Sequence, residues 1–166
     1  MEQYIGTKLV LAEKMNRAKY NEHRGWELPA DEDGSDEGYL VEYSDGGGSN
    51  HLAHFGYISW SPKKQFENAY YKTSEAMSFS HALHALKLGC KVARKGWNGK
   101  GMFIVLMPPL YLEAEKVNSR TAKHIGEGED LDCQPYIAMM NAQKQWIPGW
   151  VASQSDLLCE DWVIVE

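Results

Sequence analysis

Nowhere does this chain carry an apolar run long enough to span a bilayer, so the sequence excludes a helical membrane protein. Cysteine is nearly as sparse. The three present, Cys90, Cys133 and Cys159, are odd in number, far apart and without a CxxC pair. That spacing excludes a disulfide framework and a zinc ribbon, and it predicts reduced, semi-buried thiols. Positive charge is scarce too. A net charge of −6 argues against long nucleic acid, whose capture needs a broad basic surface. The chain opens on Met1-Glu2-Gln3-Tyr4 rather than a charged-then-apolar leader, which predicts a cytoplasmic location. What is present is 43% hydrophobic residues in 166, enough to pack one ordinary domain or two small ones.

Residues 1–72 read as a small α+β unit. A strand is expected over residues 7–12 (TKLVLA). Asn16 is placed to cap a helix over residues 17–24 that ends at Gly25. An acidic turn, DEDGSDEG, fills residues 31–38; it lacks the downstream glutamate of an EF-hand, so calcium is not expected there. Strands are predicted over residues 39–43 and 56–60, with Ser61-Pro62 opening a short helix through Phe66, Ala69 and Tyr70. His51 and His54 could share a metal, but no third ligand stands at a convincing spacing, and an exposed loop pair with no metal is the expectation. Residues 72–76 (KTSEA) read as a linker.

Residues 77–166 form the second expected unit: a small antiparallel sheet with a packed helix, again α+β. Phe79, Ala82, Leu83 and Leu86 make an apolar stripe at helical spacing, Ser78 is a candidate cap and Gly89 a C-terminal stop. His81 and His84 are expected to be solvated. Next comes GCKVARKGWNGKGMFIVLM, residues 89–107, in which two β-prone runs flank a basic, glycine-rich turn containing Asn98-Gly99. That is the strongest short-range hairpin signal. Gly96, Gly99 and Gly101 permit positive φ and close approach of backbone N–H groups to an anion. Trp97 among Arg94, Lys95 and Lys100 sets a flat apolar plate beside positive charge, suited to a base or sugar carrying phosphate; equally, its indole could close the core. Residues 111–133 read as a long polar connection with some helix over 113–117, and strands are predicted over 135–140 and 146–151. Asp156 could cap a helical turn over 157–162. Residues 162–165 close as a strand. Trp150 and Trp162 are expected in the core, and Glu160 and Asp161 on the surface. No Ser/His/Asp arrangement, metal-ligand cluster or general acid–base pair is visible, so no catalytic residue and no resident cofactor are expected.

Three blocks in order, MSFSHALHALKLGCKVARKGWNGKGMFIVL (77–106), PYIAMMNA (135–142) and PGWVASQSDLLCEDWVIV (148–165), resemble the Thoeris anti-defense 2 family of phages. The likeness covers roughly the last ninety residues; residues 1–72 resemble a companion phage segment of no known activity. The resemblance implies a non-catalytic sponge acting in the cytoplasm of the infected host. Such a sponge captures glycocyclic ADP-ribose made by TIR-domain enzymes, and in some members cyclic dinucleotides. It implies a homotetramer with pockets between subunits. Phe79 and Trp97 match aromatic pocket positions of the family, and Ser153 and Asp156 match polar ones, although some relatives carry Asn where Ser153 stands. Combined with the local reading, the candidate ligand-binding set is Phe79, Arg94, Lys95, Trp97, Asn98, Gly99, Lys100, Ser153 and Asp156. In this reading Asp156 accepts from ribose hydroxyls, and Arg94, Lys95 or Lys100 neutralise a diphosphate. The rival functions are an enzyme that degrades a nucleotide signal, or a phage structural or interaction module.

Overall fold

A computed structural model describes residues 1–166 and shows an α+β protein of two compact units, Met1–Tyr71 and Lys72–Glu166. In the first unit, β1 (Leu11–Lys14), β2 (Gly38–Tyr43) and β3 (Tyr57–Pro62) form an antiparallel sheet in that order. The helix α1 (Arg17–Arg24) is capped by Asn16, whose side chain accepts the Lys19 N–H at 2.9 Å, and it ends at Gly25 with φ 67°. Its Tyr20 packs with Leu40 and Ile58 as a small core. Helix α2 (Lys63–Ala69) lays Phe66 on Tyr39, ring centroids 4.1 Å apart.

Some boundaries in this unit differ from expectation. The first strand lies at Leu11–Lys14 rather than over 7–12, because pairing with β2 (Leu11 opposite Glu42, Lys14 opposite Tyr39) sets it; all four residues are exposed, so hydrophobic pattern had no hold there. Pro62 ends β3 instead of beginning α2. The acidic turn is drawn in by Arg17, which pairs with Glu32 at 2.9 Å and Asp36 at 3.2 Å.

In the second unit, α3 (Phe79–Lys87) packs on a five-stranded antiparallel sheet. The sheet consists of β4 (Lys91–Arg94), β5 (Phe103–Met107), β8 (Tyr136–Met140), β9 (Trp146–Pro148) and β10 (Trp162–Val165), in the order β10-β4-β5-β8-β9. The chain's last strand therefore lies beside the first strand of the unit, Trp162 opposite Arg94. Ala82, Leu86, Val92, Ile104 and Trp162 are all at most 1% exposed and form the core with Met77, Ala85 and Met139. Gly89, with φ 86°, turns the chain out of the helix as a left-handed C-terminal stop requires.

The expected polar connection over 111–133 is instead an ordered excursion. β6 (Leu110–Leu112) pairs with β7 (Leu131–Cys133), and between them lie a 3-10 turn (Ala114–Lys116) and α4 (Ser119–Ile125), the latter capped by Asn118. Asp130 ties its base by accepting from Tyr111 and from the Ala114 N–H. Strands of three residues are too short to show alternation in sequence.

Candidate ligand-binding site

The site grows from the edge where β4 meets β10. Arg94, at the end of β4, extends its guanidinium to two carboxylates from the C-terminal segment. Nη1 donates to Asp156 Oδ1 at 2.8 Å, and Nε donates to Asp161 Oδ1 at 2.8 Å. Asp156 belongs to α5 (Gln154–Leu158), where Ser153 is the N-cap and Asp156 the third helical residue of a reciprocal capping box. Asp156 Oδ2 accepts the Ser153 N–H at 3.0 Å and the Ser153 hydroxyl at 2.6 Å, while Oδ1 also accepts the Trp97 indole N–H at 3.2 Å. Four donors thus saturate one carboxylate that is only 8% exposed.

Burial pushes the Asp156 carboxyl up, but the bonds from Ser153, Arg94 and Trp97 outweigh it and hold it at about 2. Asp161 is likewise held at about 2, chiefly by Arg94, against burial, with the Cys159 thiol and the Gly96 N–H (2.9 Å) assisting. The guanidinium is correspondingly pushed well above its ordinary value by Asp161 and Asp156. Asp161, expected as a plain surface charge, is a structural partner of Arg94. Asp156 serves the capping box as its third residue rather than as the N-cap.

Four aromatic rings gather beside this network. Trp162 is fully buried, and around it stand Trp97 (5.4 Å between centroids), Phe79 (5.6 Å) and Trp150 (6.2 Å), all three partly exposed. The indole of Trp97 meets those of Trp162 and Trp150 edge-on, an arrangement favoured by the ring quadrupoles. With its N–H on Asp156, the Trp97 ring is held in one orientation. It caps the core and still reaches solvent.

Between β4 and β5 the turn over residues 95–102 leaves Lys95, Asn98 and Lys100 exposed. Its glycines differ in role from expectation: only Gly101 has positive φ, 72°. Gly96 is needed because a Cβ there would stand 2.7 Å from Asp161 Oδ2, and Gly99 because a Cβ would collide with Met102. The Gly96 N–H is committed to Asp161, so it is not available to an anion. The amides of Asn98, Gly99, Lys100 and Gly101 donate to no other group of the chain. Lys144, which sequence reasoning passed over, holds its ammonium over Gly101, 3.0 Å from where a Cβ would be. Asn141 shapes the turn that carries it, accepting the N–H groups of Gln143 (3.0 Å) and Gln145 (2.9 Å).

Of the nine candidate residues, the structure joins Arg94, Trp97, Ser153 and Asp156 in one hydrogen-bonded network. Phe79 touches the same buried indole as Trp97, and Lys95, Asn98, Gly99 and Lys100 lie in the adjoining turn. Arg94 is engaged by two carboxylates and Asp156 by four donors, so neither is a free ligand group within this chain. No helix is long and apolar enough to cross a membrane.

This second unit is also where the chain is similar to known proteins. It is 38% identical over 89 residues to Thoeris anti-defense 2 of Bacillus phage SP01, covering 54% of this chain and 94% of that protein. A family profile described as the Thoeris anti-defense 2-like domain matches residues 77–165, from the residue before α3's cap to the end of β10. On that match, over more than half its length, this protein belongs to the Thoeris anti-defense 2-like family.

Proposed function

We propose that the second unit captures a cyclic nucleotide immune signal and holds it intact, blocking Thoeris-type immunity in the cytoplasm of an infected bacterium. Glycocyclic ADP-ribose is the primary ligand in this reading, with cyclic dinucleotides as a second class. The observation that carries it is the adjacency of two features. One is a set of partly exposed aromatic rings on Trp162; the other is a basic turn whose four successive amides, 98–101, are unpaired. A purine offers a π-face to Trp97 or Phe79, each stacked base contributing about 1–3 kcal/mol. A diphosphate accepts from the free amides and from Lys95, Lys100 and Lys144.

The electrostatics support binding rather than turnover. Asp156 and Asp161, the acids nearest the rings, are held at about 2 and committed to Arg94. Groups so acidic and so fully bonded are poor general bases near neutrality. Assembly is supported by apolar side chains left open on this unit. Val151, Leu157 and Leu158 are 84%, 45% and 81% exposed beside the capping box, and Trp146 and Ile147 lie on the edge strand β9 at 50% and 45%. Covering them with further copies, as a homotetramer, would enclose the Trp97 face.

The test is to mix glycocyclic ADP-ribose with the protein, confirm its depletion from the free pool, then heat-denature and assay the supernatant. Recovery of intact signal is expected. A depleted signal that returns as a cleavage product would make the protein an enzyme, and no depletion would leave the interaction-module reading.

A further inference from the structure

In the first unit, three histidines far apart in sequence meet. His23 comes from the last turn of α1, and His51 and His54 from the connection between β2 and β3. One ring nitrogen from each lies within 4.8 Å of the others, and all three side chains are half-buried. This replaces the expected exposed pair, since the third ligand was supplied by the helix. We propose that His23, His51 and His54 form a binding site for one late first-row divalent ion, zinc in the cell, oriented by Glu42.

The hydrogen bonds define which nitrogens are ready. Glu42 Oε2 accepts from His54 Nδ1 at 2.7 Å, while its other oxygen accepts the N–H groups of Phe55 (3.0 Å) and Gly56 (2.9 Å). Those donors, the His54 bond foremost, hold the Glu42 carboxyl below its usual range. A carboxylate fixing Nδ1–H leaves the Nε2 lone pair of His54 outward, the arrangement by which proteins orient metal-ligating imidazoles. That lone pair faces His23 Nε2 at 2.8 Å. With Nδ1–H of His54 committed, the proton between the two Nε2 atoms belongs to His23. A zinc ion would take that place once the His23 proton shifts to its own Nδ1 and leaves Nε2 a lone pair. Tetrahedral Zn–N bonds of about 2.0–2.1 Å separate two ligand nitrogens by about 3.3 Å, so the rings need to part by roughly 0.5 Å.

Burial foremost, then the neighbouring His51, His54 and Arg24, lowers the His23 pKa, with Glu13 opposing. His51 Nε2 sits 3.0 Å from the His23 carbonyl, which as an acceptor requires Nε2–H. Its Nδ1 accepts the N–H of Ala53 at 3.2 Å, and that exposed amide can turn to water and free Nδ1 for the ion. Three imidazoles without a thiolate suit zinc, copper(II) or nickel, and the fourth position is left to water or a small anion. The bound ion would fasten α1 to the β2–β3 connection.

The test uses untagged full-length protein stripped with EDTA and titrated calorimetrically with zinc chloride at pH 7.5. One ion per chain is expected, lost in His54→Gln and retained in His84→Gln, whose histidine lies in the other unit. Cobalt(II) substitution should give spectra of nitrogen and oxygen ligation without thiolate charge transfer. Should His54→Gln unfold the first unit, Glu42→Gln keeps all three imidazoles and should weaken zinc by about 10–100-fold. Absent stoichiometric binding, a thiolate signature, or unaltered affinity in a folded His54→Gln or in Glu42→Gln would each overturn the site.

Discussion

The Trp97 indole and the Arg94 guanidinium converge on one oxygen, Asp156 Oδ1, at 3.2 and 2.8 Å. The ring best placed to stack a ligand is thereby fixed by the same carboxylate that binds the arginine. Two contributions of Trp97, its π-face and its N–H, can be separated by substitution. Trp97→Ala should weaken capture of glycocyclic ADP-ribose by at least about 10–100-fold, the value of one stacked base. Trp97→Phe keeps a ring and releases Asp156 from one of four donors, so it should retain most of the affinity and an unaltered oligomer. Calorimetric titration and sedimentation of both variants would check this. Wild-type affinity in Trp97→Ala would confine the indole to the core.

Arg94 invites a mistaken experiment. Its place beside a basic turn suggests a phosphate ligand, and Arg94→Met should abolish capture, but for another reason. Removing the guanidinium leaves Asp156 and Asp161 as uncompensated, partly buried charges, a loss of about 3–5 kcal/mol for a broken buried pair. The expected result is a markedly lowered melting temperature of the second unit with no ligand present. Neutralising both acids in the same chain, Asp156→Asn with Asp161→Asn, should recover part of that loss. If Arg94→Met melts like wild type and still fails to bind, the arginine touches ligand directly.

That network also marks where sequence reasoning stopped. The α1 cap at Asn16, the α3 stripe and the Gly89 stop were legible because each depends on residues within a few positions of one another. The partnership of Arg94 with Asp161 was not, since it depends on β10 pairing with β4 across 67 residues. Lys144 was invisible for the same reason: only the pairing of β5 with β8 carries its turn to Gly101. His23 escaped notice beside His51 and His54 because a helix and a loop, rather than a motif, bring them together. Close approaches hid too. Gly96 and Gly99 look like flexible turn residues, yet both are needed for room rather than for φ.

Acid should loosen the second unit in a particular window. The folded-state carboxyls of Asp156 and Asp161 lie at about 2, below an unfolded aspartate's value of about 3.9. A depressed folded pKa gives stability that is fully present above the unfolded value and lost as pH falls through the folded one. The pair's contribution should therefore be flat from neutrality down to about pH 5 and decline by on the order of 4 kcal/mol toward pH 2. Urea unfolding at pH 7, 4, 3 and 2 would measure it, with Asp161→Asn showing a shallower decline. An equal decline in that variant would mean the pair is not the group being titrated.

The phosphate half of the proposed site makes a separate demand on Lys144. Its ammonium reaches the glycine turn from another hairpin, so a role there is a consequence of the fold alone. Charge reversal at Lys95, Lys100 or Lys144 removes a cation from beside the free amides of 98–101 and adds an anion. Each should weaken a diphosphate ligand by about tenfold or more, as loss of one charged hydrogen bond does, and the residual affinity should become less sensitive to salt. Lys123→Glu, on exposed α4, serves as the control for net charge and should bind like wild type. Were Lys144→Glu also to bind like wild type while Trp97→Ala does not, the base would still stack on the indole. The diphosphate would then have to lie away from Gly101, on the far side of the ring or against a neighbouring copy of the chain.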